Sequence, residues 1–363
     1  MRAVDNASGT GRRGFPAGRG RRIGPGRGIG LRIGRGLRLG RGRSAVAAMA
    51  AACALTVAAA APQAGHSSAR PASSANGQAA QARYAATSQA ATGCTDANAD
   101  ASLNPLSGTT DGPAVQAIQR RGRLIVGVDQ NSYLWGFRDP TTGQIAGFDI
   151  DLVKAIAQNI LGDSSKVQYL TVPTDKRFPD IAAHKVDMVV RTVTVNCQRI
   201  DDGAAFSTAY FTAGQQLLVP RDSSITGFDD SLKNKTVCTA SGSTGQTKLK
   251  QGAHGASVIA LANQLDCLVL VQLGKADAVF TDNALAAGQA AQDPEVHLVG
   301  TPVTHEPYGV AMNSDSPDLV RRVNQVLDTY RAGGAGSPWM RSYDTWLAKD
   351  LPGITGPPAP KYK

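Results

Sequence analysis

Two carboxylates stand where short apolar runs end. Arg123-Leu-Ile-Val-Gly-Val closes on Asp129, and Asp282 lies just past Ala276-Asp-Ala-Val-Phe280. Both runs read as buried parallel strands, and small ligands of open α/β sheets bind beyond the carboxyl ends of such strands. Two further segments meet the same requirement: the loop after Val190, which opens on Arg191, and the loop from Ser241 that starts a helix. Four such places around one cleft suit a hinge that closes on a small molecule. Metal chemistry has little to work with, because no C-x-x-C occurs and the five histidines do not cluster at ligand spacing. No cofactor is expected, and no Cys/His order points to a nucleophilic cysteine.

The elements that must position these residues alternate between strand and helix. After the Asp129 strand and a loop (130–145), the run from Gly147 to Gly162 repeats apolar residues at three and four: Ile150, Val153, Ile156, Ala157, Ile160. Asp149 can cap that helix and Gly162 end it. Strands are expected over 167–172 and 186–190, with a short helix over 179–185 between them. A long aromatic crossing, 206–220, leads into a second set: strands at 235–239, 276–280 and 296–299, and helices at 266–273 and 285–292. A return crossing at 308–312 precedes helices over 318–330 and 339–347, with Trp339, Tyr343 and Trp346 as a core stripe. The pattern predicts two α/β lobes with mainly parallel sheets, joined near 209–215 and 301–307. Lobe 1 is expected from 94–210 and 306–350, and lobe 2 from 215–300.

Charge separates the rest of the chain from this part. The formal net charge is +10 over 363 residues, but residues 1–61 hold 12 arginines and one acid, leaving 26 basic against 27 acidic residues beyond them. The fold is therefore near neutral and lacks the global excess of a nucleic-acid-binding domain. Residues 9–43 are a Gly-Arg arm with thirteen glycines, and the uncharged run Ser44 to Ala61 that follows reads as an export signal. Cys53 inside that run is a possible lipidation site; removal with the signal is the alternative. Residues 62–93, with 20 of 32 from Ala, Ser and Gln, read as a flexible linker, and 353–363, rich in proline, as a disordered tail. The chain is expected outside the cytoplasm, touching the membrane only through its N-terminal anchor. With Cys53 set aside, four cysteines allow three disulfide connectivities. Cys238–Cys267 is favoured because both fall in lobe 2, and Cys94–Cys197 would then tie the lead-in to lobe 1.

GFDIDLVKAIAQNIL, KVDMVVRTVTVNCQRI, FSTAYFTAGQ, the SGSTG loop, KADAVFTDNALAAG and EPYGVAM, in that order, resemble the polar amino-acid-binding proteins of bacterial ABC importers, solute-binding family 3. The cysteine positions are similar to actinobacterial glutamate/glutamine-type binding lipoproteins. The likeness covers about residues 115–350. It implies a two-lobe, periplasmic-binding-protein-like α/β fold with two hinge crossings (type II), an amino-acid ligand and ABC permease partners. Residue by residue, it implies that Arg199 takes the ligand's α-carboxylate, a task suited to a planar guanidinium fork. Thr192 and Thr194 would add donors, and Gly242, Ser243 and Thr244 would supply helix-start amides to the same anion. Asp282 would take the α-ammonium. The side-chain end departs from the pattern: Arg191 stands where relatives carry a small residue, and Arg177 precedes Phe178-Pro179. Tyr133, Trp135 and Phe137 are the nearest counterparts of a stacking aromatic. The extra arginines imply an acidic side chain, glutamate or aspartate, provided that Asp129 is neutralised by Arg191 or Arg177; glutamine or asparagine is the alternative.

Three other functions compete. The same fold hosts extracytoplasmic dehydratases and lytic transglycosylases, which need a cleft acid with a raised pKa; Glu306 is the one candidate in the crossings. A sensor would use the same pocket with a different membrane partner. Nucleic-acid binding through the Gly-Arg arm lacks interleaved aromatics apart from Phe15.

Overall fold

The computed structural model describes residues 93–95, 97–108 and 110–363. The Gly-Arg arm, the export signal, Cys53 and nearly all of the 62–93 linker lie outside the described residues.

Two five-stranded sheets repeat one plan. The first runs in the order Val167–Thr171, Leu124–Val128, Met188–Val189, Ala311–Asn313, Ala204–Phe206. Its first three strands are parallel, and Ala311–Asn313 is antiparallel to both neighbours. The second runs Ser257–Leu261, Thr236–Ala240, Ala278–Asp282, Gln215–Pro220, Val296–Val299. Again three are parallel and the fourth, Gln215–Pro220, opposes both neighbours. In each sheet the reversed strand is the one that arrives from the other lobe. The crossings themselves pair, Phe211–Ala213 against Glu306–Tyr308, with Phe211 opposite Tyr308 and Ala213 opposite Glu306. A hydrogen-bonded pair of crossings restrains lobe motion to a hinge.

The local reasons are ordinary ones. Leu124, Val126 and Val128 are buried in a strand covered on both faces. Ile150, Val153, Ile156, Ala157 and Ile160 form the buried stripe of the helix Phe148–Leu161, which ends at Gly162 with φ 68. That helix starts without the expected cap: Asp149 turns inward, and Gly147 precedes it at φ 126, where a Cβ would stand 2.3 Å from the Trp135 carbonyl. Trp339 is fully buried, edge-on to Phe148 at 5.5 Å and stacked on Tyr343 at 5.6 Å.

Three expectations need correction. The 130–145 loop contains a small antiparallel sheet of Asn131–Ser132, Gly136–Arg138 and Ile145–Ala146. The stretch before the 266–273 helix contains the strand Ser257–Leu261, which lies at a sheet edge and is largely exposed, so its sequence shows no burial period. The tail 353–363 is not disordered. Ser102 N–H donates to the Lys361 carbonyl at 3.0 Å, Lys363 N–H to the Ser102 carbonyl at 2.8 Å, and Lys361 Nζ pairs with Asp100 at 3.0 Å. Proline rigidity and these partners order a segment whose composition alone reads as frayed. Disulfides join Cys94 to Cys197 and Cys238 to Cys267, with Cα separations of 5.7 and 5.4 Å.

Candidate functional site

The carboxyl ends of the two parallel strand sets face each other across a cavity of about 20 Å³. Lobe 1 contributes Thr174, Arg177, Arg191, Thr192, Thr194 and Arg199; lobe 2 contributes Gln215, Ser243, Thr244, Gln264, Thr281, Asp282 and Leu285. A space that size holds about one water, so the lobes are closed. Beside the crossings, a wider cleft of about 540 Å³ shares Thr194, Arg199, Ser243 and Thr244 with the cavity.

Each arginine has a structural reason to point inward. Arg199 sits on the helix Cys197–Asp201, whose N-cap Asn196 accepts from the Arg199 N–H at 3.0 Å. The Cys94–Cys197 disulfide pins that turn, and Arg199 Nη1 donates to the Thr194 carbonyl at 2.5 Å. Arg191 follows the strand Met188–Val189 and meets Asp129 as an ion pair at 2.8 Å, both groups almost fully buried. Its Nη1 also donates to Thr174 Oγ1 at 2.8 Å, while its buried Nε has no partner. Arg177 Nε donates to the Thr174 carbonyl at 2.8 Å, and its Nη2 reaches across to the Gly242 carbonyl at 3.2 Å. Burial, then the like charges of Arg199 and Arg191, hold the Arg177 guanidinium well below its ordinary pKa. Burial likewise lowers Arg199, against the pull of Glu306 and Asp282.

The acids are equally constrained. Asp129 accepts from the Gln130 and Asn131 N–H groups at 2.8 and 3.1 Å and from the Ser132 hydroxyl at 2.7 Å. Gln264 of lobe 2 donates to that same hydroxyl at 2.8 Å. Asp282 does not cap the helix it precedes; its side chain accepts from Gln215 Nε2, its cross-strand neighbour, and from the Tyr308 hydroxyl at 2.7 Å. Burial, then the Glu306 charge, pushes Asp282 up to about 7, opposed by Tyr308, Arg199 and Arg177.

Eight of the twelve expected site residues line the cavity, and four do not. Asp129 stands behind Arg191. Gly242 lines the wider cleft; its φ of 73, and a Cβ that would stand 2.9 Å from Asp175 Cα, explain the glycine. Tyr133 packs edge-on to Phe137 at 4.9 Å. Trp135 is fully buried in the aromatic core, with its indole N–H donating to the Ala284 carbonyl at 3.0 Å. An indole in a loop reads as an available stacking surface, yet burying so large a ring is worth more than exposing it.

Six residues of the site were not foreseen: Thr174, Gln215, Gln264, Thr281, Leu285 and, behind Thr192, Asp149. Thr192 has φ 46, an uncommon region for a β-branched residue, and its N–H donates to Asp149 Oδ2 at 3.0 Å. Tyr210 donates to Asp149 Oδ1 at 2.7 Å. Burial pushes Asp149 up to about 7 despite both donors. An acid two residues after a glycine at a helix start gives the same signal as a cap, so its sequence context concealed it.

Residues 124–348 match the model of the bacterial extracellular solute-binding proteins, family 3. The chain belongs to that family. It is 33% identical over 261 residues to the ABC transporter glutamine-binding protein GlnH of Bacillus subtilis, covering 72% of this chain and 92% of that one. It is 24% identical over 252 residues to the glutamate/aspartate import solute-binding protein of Salmonella typhimurium, covering 66% and 82%. Among solved structures it is similar to a mutant of ArgBP from T. maritima, with a TM-score of 0.60 at 28% identity, covering 65% and 100%. The two-lobe α/β fold of type II binding proteins is thereby shown. Solute-binding family 3 is an extracellular family, and no helix among the described residues is long and apolar enough to cross a membrane.

Proposed function

We propose that this chain captures an acidic amino acid, glutamate or aspartate, outside the cytoplasm and delivers it to an ABC permease. The carrying observation is the pattern of unsatisfied polar atoms in the cavity. At the lobe 1 end Arg191 Nε is a buried donor without an acceptor; beside Asp282, Gln215 Oε1 is a buried acceptor without a donor. Such atoms are costly unless a ligand completes them. An oxygen-bearing side chain answers the first and an ammonium the second. Arg199, with the Ser243 and Thr244 amides at the start of the helix Thr244–Gln251, supports an α-carboxylate between them.

Three arginines, Arg177, Arg191 and Arg199, line the cavity beside one carboxylate, Asp282, and this local excess of donors supports an acidic ligand; Asp129 behind Arg191, Asp149 behind Thr192 and Glu306 at the border offset it. The two-carboxylate requirement of a glycosidase is poorly met, since Asp282 is tied to Gln215 and Tyr308 and Glu306 borders the wider cleft rather than the cavity; the reading is binding without covalent chemistry.

Glutamine is the second reading. If Arg191 stays committed to Asp129, the side-chain end is neutral and suits an amide, and GlnH of B. subtilis is named for glutamine. Calorimetry of the purified chain against the twenty amino acids separates the two. Glutamate or aspartate is expected to bind at least tenfold tighter than glutamine, and the reverse order would establish the second reading. No amino acid binding below about 100 μM would sink both.

Export through the basic arm and the run from Ser44 to Ala61, with Cys53 as a lipid attachment point, belongs to the same proposal. Mass spectrometry of the mature N-terminus from membranes tests it. A chain beginning at an acylated Cys53 supports anchoring, and one beginning beyond Ala61 rules it out.

A further inference from the structure

Asp149 is a buried acid to which neither helix capping nor ligand contact gives a task. It stands at 1% exposure in the first turn of the helix Phe148–Leu161, and that helix has no side-chain cap bond. Both of its carboxylate oxygens serve other elements. Oδ2 accepts from the Thr192 N–H at 3.0 Å, and Oδ1 accepts from the Tyr210 hydroxyl at 2.7 Å.

Each donor belongs to a segment on which capture depends. Thr192 lies in the turn that carries Arg191, Thr192 and Thr194 to the cavity. Its φ of 46 puts a β-branched residue in the left-handed region, a conformation that persists only where the surroundings impose it. Beyond Thr192 the chain is fixed to the return crossing. Gly309 N–H donates to the Val193 carbonyl at 3.0 Å, and Val195 N–H to the Pro307 carbonyl at 2.8 Å. Tyr210 lies in the first crossing, just before the strand Phe211–Ala213, and is fully buried. Its N–H donates to the Tyr308 carbonyl at 2.8 Å, and its carbonyl accepts from the Trp339 indole at 2.7 Å. The Tyr308 hydroxyl in turn reaches Asp282 of lobe 2 at 2.7 Å. One carboxylate therefore stands between the bent ligand turn of lobe 1 and the paired crossings that lead to the acid of lobe 2.

We propose that Asp149 is a positioning residue, which imposes the left-handed bend at Thr192 and, through Tyr210, fixes that bend to the hinge. It does not line the cavity and acts through the Thr192 N–H. This rests on the amino-acid reading and deepens it by naming what holds the lobe 1 donors in place. A carboxylate suits the task, because it accepts from two donors at once and a charged acceptor bonds more strongly than a neutral carbonyl. Without it Thr192 relaxes toward an ordinary φ, and Arg191 and Thr194 on either side turn with it.

Variants at Asp149 separate positioning from a merely structural role. Asp149→Leu keeps the size and removes the acceptor. Calorimetry with L-glutamate and L-glutamine should then show the tighter of the two bound about tenfold or more weakly. Asp149→Asn can still accept from the Thr192 N–H and donate to the Tyr210 oxygen, so affinity should stay within about threefold of the wild type. In a Thr192→Gly background the bend needs no restraint, and adding Asp149→Leu should weaken binding by no more than about threefold. A second measurement needs no ligand and covers the case in which Asp149→Leu does not fold. Tyr210→Phe keeps the ring and removes one of the two donors. Hydrogen exchange of the Thr192 amide in the free protein should then be about tenfold faster than in the wild type. If neither amino acid binds but the exchange behaves so, the capture reading falls and the positioning stands. Any one of three results overturns the proposal: losses that multiply in the double variant, a loss in Asp149→Asn as large as in Asp149→Leu, or a Thr192 amide as slow in Tyr210→Phe as in the wild type.

Discussion

Arg191 and Asp129 form a buried ion pair beside the cavity, and the proposed choice between glutamate and glutamine turns on it. Each is almost fully buried, and neither has another charge at ion-pair distance among the described residues. Breaking a buried pair leaves an uncompensated charge, at a cost of about 3–5 kcal/mol. Asp129→Asn should therefore lower the unfolding free energy by about that amount, measured by urea denaturation. It should also free Arg191 for the ligand, raising glutamate affinity relative to glutamine. A variant that loses stability without changing the glutamate-to-glutamine ratio would show that Arg191 does not read the side chain. The pairing was foreseeable from charge alone, since an acid at a strand end beside two arginines must be neutralised. Asp149 was not, because it presents the same local pattern as a helix cap.

At the scale of elements, covalent links sit beneath the site-bearing segments. Cys197 opens the short helix of Arg199, and Cys267 lies in the helix Gln264–Gln272, which starts with Gln264. The Cys238–Cys267 link spans 29 residues, a loop whose closure contributes roughly 3–4 kcal/mol. Replacing both cysteines by Ala should lower the unfolding free energy of the chain by about that much. Ligand affinity should fall as well, because Cys238 lies on the strand Thr236–Ala240 that leads into the Ser241 loop; unchanged stability would refute the first claim. The tail gives the contrasting case. Truncation before Gly353 removes the Lys361–Asp100 pair and the Ser102 bridge, all far along the chain from the cavity residues. The melting temperature should drop by a few degrees with affinity unchanged, and a large loss of affinity would place the tail in the closing mechanism. Strongly periodic elements, such as the helix Pro317–Arg331, were legible in sequence. The edge strand Ser257–Leu261 was not, because half-exposed short strands carry no periodic signal.

For the whole molecule, closure concentrates buried acids that prefer to be neutral. Asp149 and Asp282 both rise to about 7 because burial disfavours their charge. Acids with a raised folded pKa bind protons more tightly when folded. Stability of the unliganded chain should therefore fall as pH rises from about 4, the unfolded value, to about 7, and stay level above. Thermal melts across pH 4–9 should show that decline, and Asp149→Asn should remove part of it. A melt that rises steadily from pH 5 to pH 7 would contradict these burials.

The sequence alone settled what needs only local chemistry and order along the chain. Alternating apolar strands and amphipathic helices fixed an α/β fold, two interruptions of that alternation marked two lobes, and six motifs in order identified the family. It also placed Arg199, Thr194, Ser243, Thr244 and Asp282 at element ends, because strand ends and helix starts are read from neighbours. The tertiary structure alone decided which of those ends meet. Trp135 leaves the cleft for the core, since burying its ring outweighs a stacking role. Gln215, Gln264 and Glu306 enter the site or its border because a reversed strand, a lobe 2 helix and a crossing arrive there from distant sequence. Partnerless buried atoms such as Arg191 Nε and Glu306 Oε2 arise only when chains from both lobes exclude water around them. Their lack of a partner is a property of the closed cleft that no local pattern encodes.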